Sequence, residues 1–260
     1  MLIKGICVQN CCLNKYKSTQ ATSYNKHINF NGLPTLTNID YFIENKIPLT
    51  VVDNPAVLEL RLQNFKTKPY TTSSIEYKSN INYILDKEFE LINNTPADKK
   101  LVIVTGLPAS GKSDYIKKMY GEKYYIADTD KIKKMFPAYK TGGRKYNTLH
   151  GLSTQIVLEH LIPKAISEGK NIVIPTSGYE IKNITPHAKD LGYKVTWVHI
   201  LVDKETCMKR AMKRYENGGN FVDPYFIELR APYSYSQVNA LKNCPSIDEL
   251  IIVENNTHKN

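Results

Sequence analysis

The stretch "LVIVTGLPASGKSDYIKKMY", residues 101–120, joins a short apolar run to a loop with two glycines, a lysine and a serine. Residues 106–113 fit the pattern G-x-x-x-x-G-K-S/T, which is typical of loops that bind the phosphates of a nucleotide. The apolar run has the composition of a buried strand, and the residues after the loop predict an amphipathic helix. Because the motif requires this strand–loop–helix context, we predict a site for a nucleoside triphosphate.

The residue types of the loop suit the chemistry of a triphosphate. Glycines let backbone N–H groups approach phosphate oxygens, and the following helix offers its positive N-terminal end. We expect Lys112 to reach the β- and γ-phosphates and the Ser113 hydroxyl to complete the shell of a Mg²⁺ ion. ATP and Mg²⁺ are the predicted cofactors, and the predicted ATP-binding residues are Gly106, Ala109, Ser110, Gly111, Lys112 and Ser113.

After the loop, apolar runs alternate with helical patterns. The alternation predicts an α/β fold of three layers, in which a mainly parallel sheet has helices on both faces. Sheets of this class bind ligands at the carboxyl ends of their strands. The strand candidates are 101–105, 124–128, 171–175, 194–202 and 250–254, with helical patterns notably at 151–168 and 203–216.

The chain before the loop has a different composition. Residues 1–50 are rich in Asn, Thr, Ser and Tyr and predict a poorly ordered or irregular segment. Residues 51–95 predict a helical extension, with helix candidates at 54–65 and 79–94. Three cysteines cluster near the start, and their spacing, even with His27, does not match known zinc patterns. We favour ordinary free thiols in a reduced, intracellular protein for Cys7, Cys11 and Cys12.

The charge of the chain suits an acidic partner. The formal net charge is +10 and the isoelectric point is near 9.2, which fits either nucleic acid or a phosphate-rich small molecule. No nucleic-acid motif is visible, so nucleic acid is the less favoured partner. No apolar run is long enough to cross a membrane, and the start does not match a signal peptide. We expect a cytoplasmic protein without membrane contact.

Two carboxylates follow the second strand candidate in "YYIADTDKIKKMFPAY", residues 124–139. A kinase needs a carboxylate that orients or deprotonates an acceptor hydroxyl, and a second carboxylate can help to hold the metal. Asp128 and Asp130 are the candidates. One residue, Asp128 or Thr129, also suits the N-cap of a helix that begins near Lys131.

A basic helix is predicted in "DKETCMKRAMKRYENGG", residues 203–219. Arg210 and Arg214 lie four residues apart on one face, whereas we expect Lys209 and Lys213 to face solvent. A basic helix between the fourth strand and a Gly-Gly turn resembles the mobile lid of small-molecule kinases. In such lids the arginines neutralise charge on the transferring phosphoryl group.

These motifs together resemble the zeta-toxin group of P-loop kinases, in the wider set that includes phage polynucleotide kinases. The resemblance covers residues 99–242. It rests on the loop, on the D-x-D and P-x-Y elements of residues 128–139, and on "GGNFVDPYFIELR", residues 218–230, which follows the lid. The resemblance implies that Asp130 is the catalytic base, that Glu159 contacts the substrate and that Arg214 is the lid arginine.

One segment departs from the group. Its members usually read V-I-E-G-T at the third strand, whereas this chain reads "VIPTS", residues 173–177. Pro175 cannot make the charged hydrogen bonds of a glutamate with sugar hydroxyls. The resemblance implies UDP-N-acetylglucosamine as acceptor, but the proline and the basic surroundings favour a ribose hydroxyl of a nucleotide such as NAD. The substrate-binding candidates are Glu159, Asp128, Thr176 and Arg230.

We therefore expect residues 96–260 to form a P-loop kinase domain. It would transfer the γ-phosphoryl group of ATP to a ribose or sugar hydroxyl of a nucleotide-like metabolite, such as NAD or a UDP-sugar. The resemblance implies a toxin or effector, with an antitoxin or chaperone as a potential partner and secretion into a host as a variant. The alternatives are a polynucleotide 5′-kinase and a non-catalytic nucleotide-binding module. The catalytic candidates are Asp130, Lys112, Arg214 and Arg210.

Overall fold

The computed structural model describes residue 42 and residues 46–145, 147–177 and 183–256, and these residues belong to one compact unit. The predictions for the cysteine cluster near the start and for most of segment 1–50 lie outside the described residues. Within them, Cys207 and Cys244 are free thiols. None of the helices in these ranges is long and apolar enough to cross a membrane.

Within the described residues, helices at 55–66 and 75–93 precede the first strand, and strands and helices alternate after it. The first half contains α1 (Pro55–Lys66), α2 (Ile75–Asn93), β1 (Lys100–Gly106), α3 (Lys112–Met119), β2 (Tyr125–Ile126) and α4 (Thr129–Met135). The middle contains α5 (His150–Ile156), a π-helical segment (Val157–Leu161), α6 (Ile162–Ser167), β3 (Ile172–Thr176) and α7 (Ile184–Asp190). The last part contains β4 (Lys194–Leu201), α8 (Lys204–Glu216), α9 (Pro224–Lys242) and β5 (Glu249–Glu254).

The five strands form one parallel sheet in the order β2-β3-β1-β4-β5. This confirms the predicted fold class. All five strand candidates are strands, although β2 has two residues rather than the predicted five. The reason is that Asp128, two residues after β2, already caps helix α4. Strand β1 lies between β3 and β4, so the phosphate loop leaves the sheet at its centre.

Apolar side chains cover both faces of the sheet. Along β1, Leu101 and Ile103 belong to one buried cluster, and Val102 and Val104 belong to the cluster on the opposite face. Successive side chains of a strand point to opposite faces, so burial on both sides requires a continuous apolar run. This explains why residues 101–105 form an almost continuous apolar run.

The predicted helix at 151–168 is interrupted by the π-helical segment. Pro163 lies in the first turn of α6 and has no N–H to donate to the carbonyl group four residues earlier. The Ile162 N–H instead donates to Val157 O, a spacing of five residues. The proline therefore accounts for the change of helix type.

Pro175 is tolerated within the sheet because of where β2 ends. Ala127 N donates to Val173 O, so the backbone polar groups of Val173 point toward the β2 side of β3. Pro175, two residues later, faces the same side beyond the end of β2. Its missing N–H therefore removes no ladder bond to β1.

A buried polar network lies under the phosphate loop. Trp197 Nε1 donates to Thr105 Oγ1 at 2.8 Å, and His199 Nδ1 lies 2.8 Å from the same oxygen. Ser234 Oγ lies 3.4 Å from His199 Nε2. Burial lowers the pKa of His199 to about 4, and the charge of Lys112 acts in the same direction. The imidazole is therefore neutral, which lets both ring nitrogens join the network.

We expect this network to make the stability of the protein pH-dependent. The pKa of His199 is near 6.5 in the unfolded chain and lower in the fold, so unfolding takes up a proton below pH 6.5. Stability should fall as pH drops from 6.5 toward 4, with a loss of about 2 kcal/mol at pH 5 from this group. Urea unfolding of the wild type and of His199→Asn at pH 7 and pH 5 measures this change in the free energy of unfolding. An unchanged pH dependence in the variant would contradict the assignment.

Candidate active site

The phosphate loop connects the end of β1 to the start of α3. Gly106 and Gly111 have φ angles of 145° and 97°, which side-chain-bearing residues rarely adopt. A Cβ atom at Gly106 would lie 2.6 Å from Ile200 O, and one at Gly111 would lie 2.5 Å from Asn255 Nδ2. Both positions of the motif therefore require glycine for conformation and for space.

Three features of the loop fit the phosphates of a nucleotide. Ser110 Oγ is buried and has no hydrogen-bond partner among the described residues. The Lys112 ammonium group donates to Gly106 O at 2.9 Å and to Leu107 O at 2.8 Å, so it lies across the loop. Burial lowers the pKa of Lys112 to about 8, which shows that its positive charge is poorly compensated. An anion at the loop would compensate that charge.

Asp128 and Asp130 have different surroundings. Asp128 is the N-cap of α4, and its carboxylate accepts a hydrogen bond from Asp130 N at 2.8 Å. The pKa of Asp128 is raised, first by burial and then by the negative charge of Asp130. No described residue donates a hydrogen bond to the side chain of Asp130, in the first turn of the same helix. Of the two carboxylates, that of Asp130 is therefore the one available to interact with a bound substrate.

The structure brings several predicted site residues together around Asp130. Both Asp130 and Asp128 favour the charged form of Lys112, whereas the positive charge of Arg214 opposes it. Lys112, the two aspartates and Arg214 are thus electrostatic neighbours at the carboxyl ends of the strands. They come from three places in the fold: the loop, the start of α4, which supplies both aspartates, and the end of α8.

Lys133 is a site candidate that the sequence reasoning missed. It lies three residues after Asp130 on α4, is only 2% exposed, and has no hydrogen-bond or ion-pair partner among the described residues. Burial lowers its pKa, the charge of Arg214 lowers it further, and Asp130 acts in the opposite direction. The signal that could have identified it is the spacing of three, which places two side chains on one helical face.

His150 and Tyr139 lie in the same neighbourhood. Desolvation and the positive charge of Lys133 lower the pKa of His150, while Asp130 raises it. The pKa of Tyr139 is raised by burial and by Asp130, against the charges of Arg144 and Arg214. The surroundings of Asp130 are therefore strongly cationic.

The Gly-Gly turn fixes the end of the predicted lid helix. Gly218 has a φ of 90°, and Gly219 N donates to Arg214 O at 2.8 Å, which closes helix α8. A Cβ atom at Gly219 would lie 2.7 Å from Arg214 Cγ. The second glycine therefore lets the chain pack directly against the arginine stem.

Arg210 has a partner of its own. Its Nη2 atom donates to Asn255 O at 3.1 Å, and Asn255 Nδ2 donates to Ser110 O at 2.9 Å. Arg210 is thus connected through Asn255 to the phosphate loop. Its partners differ from those of Arg214, although the two side chains were predicted on one face.

The substrate-binding candidates other than Asp128 are more dispersed. Thr176 ends β3 and pairs with Thr105, next to the phosphate loop. Glu159 is exposed in the π-helical segment, where Gln155 Nε2 donates to it at 3.0 Å. The Arg230 guanidinium lies 5.3 Å from the ring centre of Phe226 on α9. Of these three, Thr176 has the position most directly tied to the loop.

The described residues contain no group of three or more His, Cys, Asp or Glu side chains that could hold a metal ion. The Ser113 hydroxyl, in the first turn of α3, is the candidate protein ligand for Mg²⁺, in the manner of phosphate loops where ATP supplies further oxygens.

Comparison with known proteins gives one family. Solved structures with similar folds include the PezAT toxin–antitoxin system of Streptococcus pneumoniae, with 17% sequence identity and a TM-score of 0.49. That match covers 68% of this chain and 77% of that chain. The AvrRxo1-ORF1:-ORF2 complex with ATP matches with 18% sequence identity and a TM-score of 0.43, and the match covers 54% of this chain and 50% of that chain. No curated protein matches significantly. The family model described as "Zeta toxin" matches residues 85–260, and the chain therefore belongs to the zeta toxin family.

Proposed function

We propose that this chain is an ATP-dependent kinase that phosphorylates a hydroxyl group of a nucleotide-like metabolite. The observation that carries the proposal is the position of Lys112, whose ammonium group lies across the phosphate loop where the charges of Asp130, Asp128 and Arg214 act on it. Phosphoryl transfer needs a phosphate-binding cation, a carboxylate for the acceptor hydroxyl and a further cation for the developing charge. Membership of the zeta toxin family supports the same reaction class.

The roles of the residues follow from their positions. Backbone N–H groups of the loop and Lys112 would hold the phosphates of ATP, and Ser113 would bind Mg²⁺. Mg²⁺, when bound, neutralises charge on the β- and γ-phosphates. Asp130 would accept the proton of the attacking hydroxyl, and Arg214 would stabilise the charge of the transferring group. Arg210 would have to leave Asn255 O to join it.

The surroundings of Asp130 support an acceptor that carries phosphate. Lys133 is buried beside it, and the charges of Arg144 and Arg214 act in the same region. Buried ammonium groups are costly unless an anion pairs with them, and a phosphate of the acceptor would do so. Because UDP-N-acetylglucosamine carries phosphates as well, the preference between the two acceptors rests on Pro175, which cannot bond sugar hydroxyls as a glutamate would. We therefore propose a ribose hydroxyl of a nucleotide such as NAD in preference to UDP-N-acetylglucosamine. Thr176, Glu159, Asp128 and Arg230 remain candidates for contacts with this acceptor.

The biological role that we propose is that of a toxin or effector, with an antitoxin or chaperone as partner. Its support is the family membership, since depletion of an essential nucleotide would harm a cell. A polynucleotide 5′-kinase is the second candidate, because the net charge of +10 also suits nucleic acid.

A substrate panel tests the reaction directly. The protein is incubated with labelled ATP, Mg²⁺ and nucleotides, dinucleotides, sugar nucleotides or oligonucleotides, and the products are identified by mass spectrometry. We expect NAD-type acceptors to be phosphorylated best, and Lys112→Ala to lose turnover while melting like the wild type. Labelling of oligonucleotides that falls steeply with salt would favour the second candidate. ATP binding without turnover would refute both.

Asp130 and Asp128 should differ in their contribution to the rate. Asp130→Asn should reduce turnover by about 10² to 10⁴, the usual share of general-base catalysis, with ATP binding retained. Asp128→Asn keeps an N-cap oxygen, so α4 should persist and the effect should fall on metal dependence or on stability. Steady-state kinetics and Mg²⁺ titrations of both variants measure the difference. The reverse order would assign the base to Asp128.

Lys133 should determine affinity for the acceptor phosphate. Lys133→Met removes the buried charge at similar volume, so KM for the acceptor should rise about tenfold to a hundredfold while KM for ATP stays constant. The melting temperature should increase, because an unpaired buried cation is removed. Lys134→Met, an exposed position on the same helix, is the matched control and should change neither quantity. Equal effects of the two variants would refute a specific role for Lys133.

A further inference from the structure

Helix α1, which precedes the phosphate loop in the chain, is joined to the region after the lid helix by a buried arginine. Arg61 is fully buried, and its guanidinium group forms an ion pair with Asp53 and donates to Pro48 O at 3.1 Å. Its Nε atom lies 3.0 Å from Asp223 Oδ1. Two carboxylates therefore share one arginine, and only Asp223 belongs to the second half of the chain.

Asp223 ends a short segment that begins directly after the lid helix. It is the N-cap of α9, where it accepts a hydrogen bond from Tyr225 N at 2.9 Å. The segment, residues 218–223, starts at the Gly-Gly turn, whose second glycine packs against Arg214. Arg61 therefore holds the far end of a segment whose near end positions the lid arginine.

The same segment is connected to residues 139–145 and 147–149, which we call the acceptor-side segment. Phe221 N donates to Arg144 O at 2.9 Å, and Tyr139 OH donates to Asn220 Oδ1 at 2.5 Å. The Arg144 guanidinium lies 5.1 Å from the ring centre of Tyr215 at the end of α8. Segment 218–223 and the acceptor-side segment thus form one connected surface near Asp130.

Helix α1 also holds the acceptor-side segment directly. Asn64 Nδ2 donates to Lys145 O at 3.2 Å, and Asn147 N donates to Asn64 Oδ1 at 3.0 Å. Four residues beyond the helix, Tyr70 N donates to Thr148 O at 2.8 Å. Helix α1 therefore contacts both segments through side chains, and Tyr70 beyond its end adds a backbone hydrogen bond to the acceptor-side segment.

Helix α2 makes a comparable connection to the aspartate-bearing helix. Glu88 is 1% exposed, and its carboxylate accepts hydrogen bonds from Tyr125 OH at 2.9 Å and Lys131 Nζ at 2.8 Å. Tyr125 lies in β2, and Lys131 directly follows Asp130 in α4. Helix α2 therefore holds both ends of the turn that presents the aspartates.

We propose that the extension formed by residues 46–94 is a brace of the active site, with Arg61, Asn64 and Glu88 as positioning residues. The brace fixes the acceptor-side segment and segment 218–223 to one another, and fixes Asp130 relative to β2. This inference rests on the proposed kinase function for its effect on turnover, but its structural part can be tested without activity. It gives the extension a role in the acceptor site.

Asn64 is the position at which the test is most selective. Removing Arg61 would leave two buried carboxylates unpaired and would threaten folding itself. Asn64→Ala removes the bonds to Lys145 and Asn147 and one bond to Leu60 O within α1. Asn80→Ala is the matched control, because its side chain makes the same kind of bond within α2, to Glu76 O, and none to the acceptor-side segment.

The experiment combines kinetics with hydrogen exchange. In Asn64→Ala we expect amide exchange about fivefold to tenfold faster in residues 144–149 and, through Phe221, in 218–223. Turnover of the acceptor should fall by a similar factor while KM for ATP is unchanged, and Asn80→Ala should match the wild type. Unchanged exchange and turnover in Asn64→Ala, or equal losses in the control, would overturn the brace. If no acceptor is turned over by the wild type, the kinase proposal fails and the exchange data alone decide on the brace.

Discussion

The close approach of β4 to the end of β1 is the constraint on which the candidate site depends. Because Ile200 O lies so close, no side chain fits at Gly106, and the chain turns away from the sheet at a glycine. That turn starts helix α3 at Lys112 and leaves backbone N–H groups facing the space above the strands. The network of Thr105, Trp197 and His199 directly below keeps this end of the sheet rigid, because every polar atom in it has a partner.

Charge is distributed unevenly around the loop. Lys112 and Lys133 are both held where burial lowers the pKa of an ammonium group, and Asp130 is the nearby carboxylate that favours their charged forms. Arg214 adds further positive charge near Lys112. A site of this kind is electrostatically incomplete without anions, and each phosphate that enters it removes part of the desolvation cost. Under the proposed function, both substrates supply such anions, so the charge imbalance favours the ternary complex over either partner alone.

Local signals in the sequence were sufficient for the sheet and the loop. The apolar runs predicted all five strands, and β1, β3 and β4 can be recognised without partner information because most of their residues are buried on both faces of the sheet. The shortening of β2 depends on Asp128, and the π-helical segment depends on Pro163. Both residues act on neighbouring hydrogen bonds, and the periodicity of apolar residues contains no information on such effects. The spacing of Lys133 from Asp130 could have marked it as a site candidate, but its burial and the pairing of Arg61 with Asp223 depend on residues distant in the chain. A single sequence contains no signal for that burial or for that pairing.

The proline in β3 changes how an acceptor could be selected. A glutamate at that position would recognise sugar hydroxyls by charged hydrogen bonds, and its negative charge would also repel phosphates of the acceptor. Pro175 removes both effects and leaves Thr176 as a neutral group at the strand end. Under the proposed function, selection would shift from the hydroxyl pattern of a sugar to the negative charge of the acceptor, and Lys133 would pair with that charge. An acceptor without negative charge would then leave Lys133 unpaired, so it would be disfavoured by charge rather than by shape.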